Sequence, residues 1–304
     1  MLEKDHDNLY DDASIVREFR ERYSYCRPSK LPPAGLPPDA VLVFRKIIYG
    51  YFKKFKRDFP WRHTDDPYHI LVSEIMLQQT QVGRVAEKYP DFIKAFPTIE
   101  ALAAAPLKDV LTTWQGMGYN RRARYLHELA RRLKETEDGS IPDSPEELVR
   151  LPGIGRATAA SISAFAFNRP VVFIETNIRA VFIHFFFHAL KDVSDERIIP
   201  LVAAALDRKN ARRWYSALMD YGTMLKKRHP NPSRRSAHHQ VQPPFEGSRR
   251  QMRGLVLKKV LEHPRISTDR LAALLNKPEG TVASILDDLV REGMIQKKGG
   301  IYSI

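Results

Sequence analysis

The stretch LPGIGRATAASISAFAF, residues 151–167, decides the fold, because a proline and two glycines break the chain just before an unbroken run of small and apolar residues. Pro152 lacks the amide hydrogen that a continuing helix uses, and Gly153 and Gly155 tolerate positive φ, so the text reads as a tight turn between two helices. With no side chains on the turn, backbone N–H groups and the N-terminus of the following helix can approach a phosphate, and Arg156 adds positive charge there. For the pentapeptide taken alone, a plain helix-to-helix turn is the simpler reading.

Working outward, residues 39–223 repeat apolar positions at spacings of three and four, with breaks at Pro67, Pro97, Pro106, Gly118, Pro142, Pro145 and Pro152. The period predicts an all-helical domain over 37–225, with almost no strand alternation. Residues 1–36, rich in proline toward their end, read as a tail or wrap. The stretch from 226 to 253 has Glu246 as its only acid, and 226–249 reads as a basic linker. Beyond it, Arg250–Glu262, Thr268–Leu275 and Thr281–Glu292 form helices, and Lys297, Lys298, Gly299 and Gly300 form a hairpin tip. That order looks like a winged helix-turn-helix over 250–304, with a small helical packing module as the plainer alternative.

Composition narrows the partners. The chain has 304 residues with 49 Lys and Arg against 36 Asp and Glu, a net charge of +13, which points to a polyanion and first of all to nucleic acid. Cys26 is the single cysteine, so no disulfide within the chain and no all-cysteine metal site can be built from it, and a reducing cytoplasm fits. No apolar run approaches the ~18 to 20 residues that span a bilayer, and the opening MLEKDHDNLYDD is acidic where a signal peptide is basic and then apolar.

Two carboxylates sit in apolar surroundings. Glu175 follows VVFI at 171–174 and precedes Thr176 and Asn177; a carboxylate there is either capped locally or functional, and helix capping by Thr176 or Asn177 is the plain alternative. Glu74 interrupts the apolar HILVSEIML and is followed by Gln78, Gln79, Thr80 and Gln81. A lone glutamate there could simply reach solvent.

These pieces resemble, in order, the helix-hairpin-helix DNA glycosylases of the endonuclease III superfamily, most closely the adenine-specific MutY branch. The matching text is PWR at 60–62, SEIMLQQTQV at 73–82, WQGMGYNRRARYLH at 114–127, LPGIGRATA at 151–159, ETNIRAV at 175–181 and ALMDYGTML at 217–225. The resemblance implies a helical fold of two lobes with the active site in the cleft between them. It implies that Glu74 protonates a departing purine at N7, from a carboxyl whose pKa is raised by an apolar setting. Gln78 and Gln79 match the segment that fills the gap left by a flipped base. Gly153 and Gly155 match the phosphate-gripping hairpin, and Tyr119 and Asn120 match a loop that enters the minor groove.

Four departures shape the functional expectation. The family's catalytic aspartate is Glu175 here, extended by one methylene, and a carboxylate in that place stabilises an oxocarbenium-like sugar. Ala157 stands where lyase-type relatives carry a Schiff-base lysine, so strand cleavage by that route is not expected. The positions of the relatives' iron–sulfur cysteines hold Lys226, Ser233, Ser236 and Gln242, so no cofactor is expected; Lys226 and Arg228 of this basic stretch become candidate phosphate contacts. The domain that reads 8-oxoguanine in MutY does not appear in the text. The expectation is therefore a monomeric, monofunctional glycosylase of base-excision repair acting on double-stranded DNA at the nucleoid, with no membrane partner and no metal. Adenine in a mispair is the leading substrate. The rivals are thymine, uracil or a modified pyrimidine opposite guanine, a non-catalytic lesion binder, and a transcriptional regulator led by residues 250–304.

Overall fold

The structure, a computed structural model, describes residues 14–25, 36–135, 139–241 and 243–304. Its helices in chain order begin with α1 (Ser14–Tyr23), α2 (Pro38–Phe55), α3 (Pro67–Leu77), α4 (Val82–Ala95), α5 (Ile99–Ala104), α6 (Leu107–Thr113), α7 (Arg121–Lys134) and α8 (Pro145–Leu148). They continue with α9 (Arg156–Phe167), α10 (Thr176–Phe186), α11 (Asp195–Ala205), α12 (Ala211–Arg228), α13 (Arg249–Glu262), α14 (Thr268–Leu275) and α15 (Glu279–Arg291). Strands β1 (Ile266–Ser267), β2 (Gln296–Lys298) and β3 (Ile301–Ser303) make one small sheet. The all-helical expectation holds, with this sheet as the exception that the hairpin tip announced.

Two compact units share the chain. The first takes residues 1–59, 143–145 and 159–241, and the second takes 60–142, 146–158 and 242–304. In the first unit α10 is almost entirely buried from Ile178 onward, the pattern of a helix that is enclosed by others rather than laid on a surface. Ile178, Val181, Phe182, Ile183, Phe185 and Phe186 are all buried. Phe44 of α2 sits among them edge-on, with ring centroids 5.4, 5.1 and 5.3 Å from Phe182, Phe185 and Phe186 and 5.9 Å from Trp214 of α12, geometry that the aromatic quadrupole favours.

Two expected boundaries shift. Within the expected tail, residues 14–23 form α1, which buries Val16 and Phe19 against this core; residues 1–13 and 26–35 lie outside the described residues. The expected basic linker is, up to 241, part of the first unit. Lys226–Arg228 finish α12, a 3-10 turn spans Pro232–Arg235, and Val193 pairs with the segment through Val193 N to Arg235 O (2.9 Å) and Ala237 N to Val193 O (3.1 Å). The physical reason is local: the Asn231 side chain accepts from Ser233 N at 3.0 Å, so a proline-containing stretch that reads as loose is closed by an Asx turn.

In the second unit α3 is the enclosed helix. Asp66 caps it through Tyr68 N at 2.8 Å with Pro67 in its first turn, and Tyr68, Ile70, Leu71, Val72, Ser73, Ile75 and Met76 are buried. The C-terminal residues belong to this same unit. Here the sheet order is β1-β3-β2, all antiparallel, and the β2–β3 turn is Gly299-Gly300 with φ +55° and +76°. A two-residue hairpin that needs positive φ at both positions is the place for a glycine pair. α15 begins at Glu279 rather than Thr281, because Pro278, fixed near φ −56°, precedes a first turn without interrupting it.

Candidate active-site residues and nucleic-acid interface

Glu175 occupies the N-cap of α10, with backbone φ −126° and ψ 178°. Its Oε1 accepts from Asn177 N at 2.7 Å and Ile178 N at 2.9 Å, and its Oε2 accepts from Asn177 Nδ2 at 3.0 Å. The capping group is thus Glu175 itself rather than Thr176 or Asn177. Capping and chemistry are not alternatives here, since a carboxylate that accepts two amides is locked in place. The longer glutamate reaches the same second and third amides of a helix that a short N-cap side chain reaches, so the extra methylene is taken up in the side chain's path.

The chain around Glu175 is set by α12. A Cβ on Gly222 would stand 2.4 Å from Asn177 O, so α10 and α12 approach closely only because residue 222 is glycine. Thr223 Oγ1 lies 2.8 Å from Met219 O and 3.3 Å from Asn177 Oδ1, and shares its proton between them. One turn beyond Gly222, burial pushes the Lys226 ammonium below the usual lysine pKa, against the opposing pull of the Glu175 charge. Asp220, 1% exposed, accepts from Arg57 N at 2.9 Å and Arg57 Nε at 2.6 Å. Sequence reasoning passed over Arg57 and Asp220; for Asp220 the signal was a carboxylate set in the apolar ALMDYGTML.

In the second unit Glu74 is half-buried on α3 between buried Ser73 and Ile75. At the end of that helix Gln79 takes φ 54° and is exposed, whereas Gln78 is half-buried, its Nε2 3.3 Å from Gly153 O and 3.1 Å from Thr158 Oγ1. Gln78 thereby ties the Gln-rich turn to the glycine hairpin. Gly153 has φ +77°, and a Cβ on it would meet Tyr125 Cβ at 2.8 Å; a Cβ on Gly155 would meet nothing within 4 Å. Gly153 is required by the fold, then, and Gly155 is not. Arg156, exposed, opens α9 beside Ala157.

Arg122 joins these parts. It is 8% exposed, and its Nη1 donates to Ile75 O (3.0 Å), Met76 O (2.8 Å) and Gln78 O (2.6 Å). Its Nη2 donates to Thr80 Oγ1 (2.9 Å), Gly118 O (3.0 Å) and Met117 O (3.3 Å). The carbonyls at the end of α3, short of their helical donors, are thus met by a buried cation, which also suits the negative end of the helix dipole. Burial pushes this guanidinium down to about 10, so it stays charged at neutral pH. The same side chain holds the loop of Gly116 (φ 87°), Gly118 (φ 71°) and Tyr119 (φ 48°), with Asn120 at the N-cap of α7.

Glu74, Gln78, Gln79, Tyr119, Asn120, Gly153, Gly155 and Arg156 therefore stand in the second unit, and Glu175, Lys226 and Arg228 in the first. Where the resemblance puts cluster cysteines, Ser233 and Ser236 are buried and Ser233 Oγ lies 2.7 Å from Asn231 Oδ1; Gln242 lies outside the described residues. No thiolate is available at these positions to ligate iron. Among the described residues no helix is long and apolar enough to cross a membrane.

Residues 72–199 match the family described as HhH-GPD superfamily base excision DNA repair protein. The chain is 35% identical over 187 residues to the adenine DNA glycosylase of Buchnera aphidicola, covering 61% of this chain and 53% of that one. It is 40% identical over 154 residues to the adenine DNA glycosylase of Mycobacterium tuberculosis, covering 49% of this chain and 51% of that one. The chain thus spans about half the length of these relatives. Among solved structures, a thermostable thymine-DNA glycosylase superposes with a TM-score of 0.53 at 27% identity, covering 60% of this chain and 86% of that one.

Proposed function

We infer, for a chain whose residues 72–199 match the HhH-GPD superfamily of base excision DNA repair proteins, that it is a monofunctional DNA glycosylase that removes adenine from a mispair in double-stranded DNA. The observation that carries this reading is the Glu175 carboxylate, fixed by two amides at the start of α10. A positioned carboxylate stabilises the positive charge that develops on the sugar as the N-glycosidic bond breaks, and in a preorganised site this costs no reorganisation. Glu74 gives its proton to purine N7, the bonding pair leaves with the base, and water adds to C1′ and loses a proton to a carboxylate or to solvent. Ala157 offers no amine, so the product is an abasic site on an intact strand. Gly155, Arg156, Gln79, Tyr119, Lys226 and Arg228 are the candidate DNA contacts, and the protein works as a monomer at the nucleoid. A second reading, excision of thymine or uracil opposite guanine, is favoured by the likeness to the thymine-DNA glycosylase structure.

Duplexes carrying A opposite G, C or 8-oxoguanine, and T or U opposite G, separate the two under single-turnover conditions. The expected result is free adenine, with strand scission only after alkali. Release of a pyrimidine alone would replace the adenine reading, and scission without alkali would refute the monofunctional one.

A further inference from the structure

Base excision leaves the C-terminal residues without a task. In a helix-turn-helix, α15 would be the helix offered to DNA, yet the carboxylates of Asp288 near its end and of Glu292 just past it are committed to protein. Asp288 accepts from Arg249 at 2.6 Å, and Glu292 accepts from Arg253 Nη2 at 2.6 Å and from Arg121 of α7. Gly293, at φ +64°, lets the chain pass so near α7 that a Cβ there would sit 3.2 Å from Arg124 Nε. An acidic helix paired with arginines is a poor surface for phosphates and a good one for docking.

What this docking delivers is Arg250. From the first turn of α13 its Nη1 lies 2.6 Å from the Tyr119 hydroxyl, and its guanidinium carbon is 5.7 Å from the Tyr119 ring centroid. Its Nη2 donates to Pro243 O at 2.7 Å, and the Phe245 ring lies 6.0 Å away. On the same tyrosine, the guanidinium of Arg122 stands 5.5 Å from the ring. Tyr119 is thus held by two cations, one from its own loop's helix and one from the C-terminal module, in a left-handed backbone conformation that a bulky residue adopts at a cost.

We propose that residues 249–304 form an intramolecular clamp, fastened through α15 to α7, and that Arg250 is a positioning residue that pre-sets Tyr119 for contact with duplex DNA. The clamp stands on the contacts above; its purpose rests on the glycosylase reading, and two readouts keep them apart. The full chain is prepared as wild type, Arg250→Met, Arg250→Lys, Tyr119→Phe and the double variant Arg250→Met/Tyr119→Phe. In free protein, amide hydrogen exchange over residues 115–120 is expected to speed up about tenfold in Arg250→Met, with partial recovery in Arg250→Lys and no change over α3. Unchanged exchange over 115–120 would overturn the clamp. On an adenine–guanine mispair duplex, Arg250→Met and Tyr119→Phe are each expected to weaken the Kd about tenfold, and the double variant no further. Additive losses would overturn the positioning role. If wild type binds no duplex while the exchange result appears, the glycosylase reading and the purpose given to Arg250 fail together, and the clamp stands.

Discussion

Arg122 shows how one buried side chain can join several chain segments. Its guanidinium closes the end of α3, three residues past Glu74, onto the loop that carries Tyr119. Removing it takes the guanidinium donor from Met76 O and Met117 O and thins the bonding at Ile75 O, Gln78 O and Gly118 O, each buried group left short costing about 1–3 kcal/mol. Arg122→Met is therefore expected to lower unfolding free energy by about 3 kcal/mol or more, read as a fall in urea midpoint, and Arg122→Lys to restore little, because an ammonium cannot fork to two sets of carbonyls. A midpoint equal to wild type would disprove the clasp. The sequence could not single this residue out: NRRAR offers Arg121, Arg122 and Arg124, and only the turn geometry decides which of them points inward. Glu175 was legible as a carboxylate in an apolar frame, whereas its own capping role was not, because glutamate is a rare N-cap.

At the level of elements, the helical pattern was legible throughout 39–223, since spacing of three and four survives any local irregularity. The structure differs where local bonding or distant packing overrides composition: the Asx turn at Asn231 inside a basic, proline-bearing stretch, and α1, which buries Val16 and Phe19 against the core. The hairpin between α8 and α9 makes a separable test. Gly153→Ala puts a Cβ 2.8 Å from Tyr125 on a backbone at φ +77° and is expected to destabilise the protein by about 1–3 kcal/mol. Gly155→Ala is expected to leave the melting temperature unchanged and to weaken duplex binding about tenfold or more, since its Cβ meets no atom of the protein. Equal duplex affinity in wild type and Gly155→Ala would remove this turn from the DNA contacts.

For the whole molecule, a linear reading into consecutive domains differs from what packing makes of the chain. Residues 1–59 join 159–241 in one unit, and the C-terminal residues join 60–142 in the other. Such long-range closure is made by contacts between residues far apart in sequence, Phe44 with Phe182 in one unit and Arg121 with Glu292 in the other, and no local period records it. On the proposed function, Glu175 serves where the resembling family has aspartate. The direct test is single-turnover adenine release from an A·G duplex by wild type, Glu175→Gln and Glu175→Asp, with duplex Kd measured alongside. The account predicts release by wild type, a loss of at least about 100-fold in Glu175→Gln at unchanged Kd, and retained release in Glu175→Asp. Release by Glu175→Gln at the wild-type rate, or tight binding by wild type with no base released, would contradict it.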